Sequence, residues 1–237
     1  MSLKDALKQV PGVTALQKRF DRRTLKSRDP DEDPSSRSKE RWRSSHPDGR
    51  LTWGKEISGD AFIRKAAAHG AFAGSGRIME IGPGYGRLVQ AALEQDVPIT
   101  RWVGVDLSEE TVNAFNERFE GRPAEAVLGD AESIRLEERF DAMLSSLTLK
   151  HIFPTFERAL SNVADHLAPG GVVVFDLIEG EREFFERHDG VTYIRQYSRE
   201  EAGELVGKAG LELVALETVD HDDDPQHRRL LVVGRKA

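Results

Sequence analysis

The sequence predicts an α/β fold, a mostly parallel sheet with helices on both faces and an antiparallel hairpin at its C-terminal end. Three observations predict it. Strand-like and helix-like patterns alternate from Arg77 onward, the mark of a sheet covered on both sides. A glycine-rich run, Glu80-Ile81-Gly82-Pro83-Gly84-Tyr85-Gly86, sits at the first strand-to-helix junction. The last two apolar runs, 211–219 and 229–235, have no helical pattern between them and should pair antiparallel.

Strands are expected over 77–81, 101–105, 124–128, 140–146, 171–177, 211–219 and 229–235, and helices over 86–95, 108–119, 155–167 and 199–209. An earlier helix opens near Ser58 or Asp60, and Ser198 with Glu201 has the spacing of a capping box for the last helix. These elements make one domain of residues 51–237. Residues 1–50 are read as an extension. Leu3, Ala6, Leu7 and Val10 in it are spaced for a short amphipathic helix. From Asp21 to Arg50 the chain is rich in Arg, Lys, Asp, Ser and Pro, with Trp42 its only aromatic. Such a stretch is too polar to bury the apolar surface that ordering requires, so it reads as a mobile linker or as a lid that orders over bound ligands.

Composition narrows the partners. A net charge of -7 argues against a nucleic-acid enzyme, which needs basic residues to neutralise phosphates. The absence of cysteine rules out disulfides and thiolate metal sites. No apolar run is long enough to span a bilayer, and the N-terminus lacks a secretory core. A cytoplasmic protein acting on a small molecule is the simplest expectation, and the sequence carries no mark of oligomeric state.

A glycine turn after a strand lets backbone approach a ligand, because no Cβ intervenes and positive φ is allowed. The spacing selects the ligand. Glycines at 82, 84 and 86, with Arg87 where a dinucleotide fingerprint has its third glycine, disfavour a nicotinamide dinucleotide. About twenty residues beyond the last glycine, Asp106 ends Trp102-Val103-Gly104-Val105, where such folds place a carboxylate on the ribose.

Together these residues resemble the class I S-adenosylmethionine-dependent methyltransferases, in which an acidic residue precedes Gly-x-Gly-x-Gly. Leu128-Gly129-Asp130-Ala131 and the Leu167-Ala168-Pro169-Gly170-Gly171 tract follow in that family's order. The resemblance implies a Rossmann-like sheet with S-adenosylmethionine as cofactor. It implies that Glu80, Gly82, Pro83, Gly84 and Gly86 floor the cofactor site and that Asp106 and Leu107 take the ribose. Asp130 and Ala131 would read the adenine, with Ser146 closing the site. A narrower similarity, from Thr52-Trp53-Gly54 through Tyr85-Gly86-Arg87, is to actinobacterial sugar O-methyltransferases and implies a carbohydrate hydroxyl as acceptor.

Methyl transfer from a sulfonium is an in-line displacement in which positioning does much of the work. A hydroxyl acceptor benefits from a general base or a Lewis-acidic metal. After the fourth strand the chain reads Ser145-Ser146-Leu147-Thr148-Leu149-Lys150-His151. It lacks the Asp/Asn-Pro-Pro-aromatic run of base-amine methyltransferases and the paired glutamates of arginine methyltransferases. His151 is the candidate base, since imidazole titrates near neutrality. Packing against the cofactor, or capping the next helix, is the competing role.

Asp176, followed by Glu179 and Glu181, is a candidate magnesium ligand at the edge of the fifth strand, against a plain loop hydrogen-bonding role that the Thr148 at the usual acidic position favours. His221 to Asp224 with His227 read as a solvated turn. Tyr193 and Trp53 are candidate acceptor-facing aromatics, with Tyr197 and Arg195 beside the former. Arg64 and Lys65 are weaker candidates for the cofactor's carboxylate. Alternatives keep the cofactor but change the acceptor to a carboxylate, an amine or a protein side chain, or make the chain a non-catalytic cofactor-binding module.

Overall fold

A computed structural model describes residues 34–44, 59–185, 192–219 and 228–237. The expected helix around Leu3–Val10, Trp53, and the His221–His227 cluster lie outside the described residues.

In chain order the elements are α1 (Pro34–Arg43), α2 (Asp60–Ala68), β1 (Arg77–Ile81), α3 (Arg87–Glu94), β2 (Arg101–Asp106), α4 (Glu109–Arg118), β3 (Ala124–Leu128) and β4 (Phe140–Ser145). A single 3-10 turn at Leu149–His151 is followed by α5 (Phe156–Asp165), β5 (Leu167–Glu179), β6 (Glu183–Phe185) and β7 (Tyr193–Tyr197). The chain closes with α6 (Arg199–Lys208), β8 (Leu211–Val219) and β9 (Arg229–Lys236).

β3, β2, β1, β4 and β5 lie side by side and parallel. β9 then runs antiparallel between β5 and β8, as the missing helix between the last two strand patterns required. The order places the C-terminal ends of β1, β2, β3 and β4 along one edge, on either side of the point between β1 and β4 where the strand order reverses. Ligands of open α/β sheets bind at that edge.

Both faces of the sheet are buried, so alternate residues of each strand enter different cores. Met79, Val103, Met143 and Phe175 pack with α5 and α6, whereas Ile78, Trp102, Leu144 and Val174 pack with α2, α3 and α4. Helix starts follow side-chain chemistry: Ser108 accepts from the Thr111 N–H and Ser198 from the Glu201 N–H.

Three elements differ from expectation. The segment read as too polar to order contains α1, and it docks through charge and one indole rather than through broad apolar burial. β5 begins at Leu167, so the Pro-Gly-Gly tract lies inside the strand rather than before it. Pairing with β4 shifts there, from Phe140 opposite Leu167 to Ala142 opposite Val172, and this bulge accommodates the tract. The β6–β7 hairpin was not expected, because β6 is three residues long and carries no alternation to read. Among the described residues no helix is long and apolar enough to cross a membrane.

Candidate active site

The glycine run folds into a turn whose three glycines all have positive φ, +67° at Gly82, +53° at Gly84 and +85° at Gly86. Their surroundings differ. A Cβ on Gly82 would lie 2.4 Å from Thr148 Oγ1, so the acceptor-side loop after β4 packs directly on the turn. A Cβ on Gly84 would meet nothing within 4 Å. Gly84 therefore borders open space at the sheet edge, as a backbone cradle for a ligand must. The Gly82 N–H donates to the Val105 carbonyl at 2.9 Å, which ties the turn to β2. Pro83 lies over Gly104, where a Cβ would come within 2.6 Å of its ring.

Glu80 points the other way. It is 2% exposed and accepts a hydrogen bond from Trp102 Nε1 at 2.9 Å. Burial pushes its carboxyl up to about 8, although the Trp102 bond and the nearby Arg87 pull it down. Asp106, at the end of β2, is also raised by burial and held back by the backbone N–H groups of Ser108, Gly84 and Leu107. The carboxylate expected to hold a ribose thus already touches the glycine turn.

Asp130 follows β3. Its Oδ1 accepts from the Glu132 N–H at 3.0 Å and its Oδ2 from Lys39 Nζ of α1 at 2.9 Å. Lys39 also binds Glu132, which in turn holds Thr155 and Arg158. Burial pushes Asp130 up, but the Glu132 N–H and the Lys39 ammonium outweigh it and hold the group below the ordinary carboxylate range. Ala131 is buried in the core beside it.

The loop after β4 is held from below. Ser146 donates to Asp176 and accepts from an Arg87 N–H at 2.8 Å. Leu147 stands at φ +69°, uncommon for a side-chain-bearing residue, and its N–H donates to Asp176 Oδ1 at 2.7 Å. Arg229 of β9 reaches the same Oδ1 at 3.0 Å, and both members of this ion pair are buried. Asp176 is a clamp for the loop, the hydrogen-bonding role that the sequence favoured over a magnesium ligand. Its oxygens are committed to three donors, one of them a cation that would repel a metal. Among the described residues no group of three or more His, Asp or Glu could hold a metal ion.

His151 ends the 3-10 turn, and its Nδ1 lies 2.6 Å from the Tyr193 carbonyl. A carbonyl only accepts, so a proton sits on Nδ1, and the second nitrogen, Nε2, is the one that can take up or give a proton. The Trp42 ring of α1 stands 5.2 Å from the imidazole, centroid to centroid. Tyr193 itself is fully buried, stacked on Phe153 at 6.0 Å, with its hydroxyl donating to Glu183. Tyr197 is buried against Phe156, and Arg195 lies over Phe153 and Tyr197. Lys65 pairs with Glu217 of β8, whereas Arg64 is exposed.

One edge of the sheet therefore brings together the glycine turn, Asp106, Asp130, Ser146 and His151. A methyltransferase domain family model matches residues 79–175, the stretch that runs from this turn through β5. Residues 79–175 thus carry the resemblance to the class I methyltransferases that the sequence predicted.

Curated relatives match part of the chain. A malonyl-[acyl-carrier protein] O-methyltransferase of Chlorobium luteolum is 34% identical over 48% of this chain and 44% of its own length. A fatty-acid O-methyltransferase of Mycolicibacterium smegmatis is 31% identical over 42% of this chain and 36% of its own. The chain thus matches less than half the length of either relative. The crystal structure of a Burkholderia thailandensis 1,6-didemethyltoxoflavin-N1-methyltransferase, with S-adenosylhomocysteine bound, superposes with a TM-score of 0.69 at 24% identity, over 89% of this chain and 93% of that one.

The open face at Gly84, the carboxylate of Asp106 and the acidic corner at Asp130 offer the kinds of donor and acceptor that an adenosyl group would need. Sequence reasoning missed Ser38, Lys39 and Trp42 of this chain, and Arg229. The one available signal was Trp42, a lone aromatic in a polar stretch, followed by a search for partners at helical spacing.

Proposed function

We propose that this chain moves a methyl group from S-adenosylmethionine to an oxygen of a small acceptor, a hydroxyl deprotonated by His151. The observation that carries the reading is the His151 Nδ1–H bond to the Tyr193 carbonyl, which leaves Nε2 as the basic nitrogen. S-adenosylmethionine supplies a methyl carbon already activated by its sulfonium. The chain's own residues hold and orient: the Gly82–Gly86 turn and Asp106 the nucleoside, Asp130 and Ala131 the base, the Asp176-clamped loop the acceptor side. Nε2 takes the hydroxyl proton as the acceptor oxygen bonds to carbon. The products are the methyl ether, S-adenosylhomocysteine and a proton passed to solvent. A saccharide is one such acceptor, and the proposal involves no metal ion.

The second reading is methylation of a carboxylate, which the names of two relatives, malonyl-[acyl-carrier protein] and fatty-acid O-methyltransferase, favour. A carboxylate is already ionised at neutral pH and needs no base. Transfer of labelled methyl to sugars, phenols and carboxylic acids, by the native chain and His151→Ala, separates the two. The hydroxyl reading expects a loss of about 10²-fold or more, with S-adenosylhomocysteine affinity retained. An unchanged rate on a carboxylic acid establishes the second reading. Donor binding without transfer to any acceptor would instead indicate a binding module.

A further inference from the structure

α1 presents two adjacent rows of side chains at i, i+4 spacing. One row, Lys39 and Arg43, faces the acids after β3: Lys39 binds Asp130 and Glu132, and Arg43 lies 3.9 Å from Asp130. The other row is Ser38 and Trp42, and the Trp42 ring meets His151. The first row is satisfied. The second is not.

Ser38 is 1% exposed, yet its hydroxyl finds no hydrogen-bond partner among the described residues. The Trp42 indole N–H is likewise buried and without a partner among them. A buried donor left unpaired costs about 1–3 kcal/mol, and native structures carry few of them. Two on one helix face, beside the candidate base, mark a missing acceptor atom. An indole N–H can only donate, and a hydroxyl donates as readily, so the missing atom is an acceptor, for which a carbonyl-type oxygen is the simplest choice. The Trp42 and His151 rings favour a flat group beside them.

Resting on the methyl-transfer reading above, we propose that α1 is the acceptor-recognition wall, with Ser38 Oγ–H and Trp42 Nε1–H donating to a carbonyl-type oxygen of the acceptor. That oxygen is a carboxylate or a neutral carbonyl carried on a planar framework, separate from the oxygen that is methylated. The Lys39–Asp130 pair then sets α1 in register with the corner expected to read the adenine.

The full chain, labelled with ¹⁵N at its three tryptophans, tests this directly. Trp42→Phe, which keeps a ring and removes the N–H, assigns the Trp42 indole resonance, and the two remaining indole signals report whether that variant is folded. Benzoate, benzamide and benzyl alcohol are titrated in turn, first alone and then with S-adenosylhomocysteine. The Trp42 signal is expected to move downfield and saturate with benzoate or benzamide, but not with benzyl alcohol. Whichever of the two moves it identifies an ionised or a neutral carbonyl. Ser38→Ala should weaken that binding about tenfold. No movement with any probe, equal movement with benzyl alcohol, or unchanged affinity in a folded Ser38→Ala protein would each overturn the proposal. The titration needs no turnover. Failure of S-adenosylhomocysteine to bind would therefore sink the methyl-transfer reading while leaving the Trp42 result readable.

Discussion

The indole N–H of Trp102 reaches the Glu80 carboxylate at 2.9 Å, and both side chains are buried beneath the glycine turn. Burial raises the Glu80 carboxyl from 4.5 to about 8, so the folded protein keeps a proton that the unfolded chain has lost. Between those two values the unfolded state binds fewer protons, and stability falls as pH rises. Glu80→Gln keeps an acceptor for Trp102 and removes the titration. Relative to the native chain it should gain stability on the order of 4 kcal/mol between pH 5 and pH 9, read from urea unfolding at each pH. A gap that does not widen with pH would show that Glu80 is ionised in the fold.

Gly82 and Gly84 share a backbone region but not a neighbourhood. Gly82→Ala drives a methyl into Thr148 at positive φ and should destabilise by about 1–3 kcal/mol. Gly84→Ala meets no protein atom, so its melting temperature should fall less. Its methyl instead enters the ligand's space, and S-adenosylhomocysteine affinity measured by calorimetry should drop at least tenfold. Native affinity in Gly84→Ala would remove this turn from the cofactor site.

Arg229 and Asp176 are 7% and 5% exposed at their side chains. Arg229→Met strands a buried carboxylate that also holds Ser146 and Leu147. A loss of about 3–5 kcal/mol in chemical denaturation is expected. Because Asp176 has no free oxygen for an ion, a chelator should leave the transfer rate of the native chain unchanged.

Lys39 holds two carboxylates, Asp130 and Glu132, below their ordinary values, although burial alone would raise them. Groups depressed in this way contribute stability above their unfolded values, 3.8 and 4.5, that is lost as pH falls through the folded ones. α1 should therefore release in acid, with a change in Trp42 fluorescence below about pH 4. In Lys39→Met the helix should be loose at neutral pH already, and the acid step should vanish.

Much of this was written locally. β1 and β3 occupy the expected residues because apolar runs are bounded by turn formers, and the glycine turn needed only its own seven residues to be recognised. What was not legible was long-range pairing. Lys39 lies 91 residues from Asp130, and Arg229 lies 53 from Asp176, distances at which no spacing rule operates. A metal role for Asp176 consequently stayed open beside the favoured hydrogen-bonding one, because the cation that pairs with it comes from β9. α1 escaped for a related reason. Counting apolar residues measures one way to anchor a helix, and this helix is anchored by an ammonium between two acids.

β5 is thirteen residues long, and its two ends serve different neighbours. Val172 to Ile178 are bound along β9, whereas only Ile178 and Glu179 extend far enough to pair with β7. The hairpin that supplies the carbonyl for His151 is thus grafted onto an overhang, outside the strands that build the nucleoside cradle. α1 is likewise added from the far end of the chain. If these two elements line the acceptor side, as proposed above, exchanging them should retarget acceptor preference while the sheet that carries the glycine turn stays unchanged.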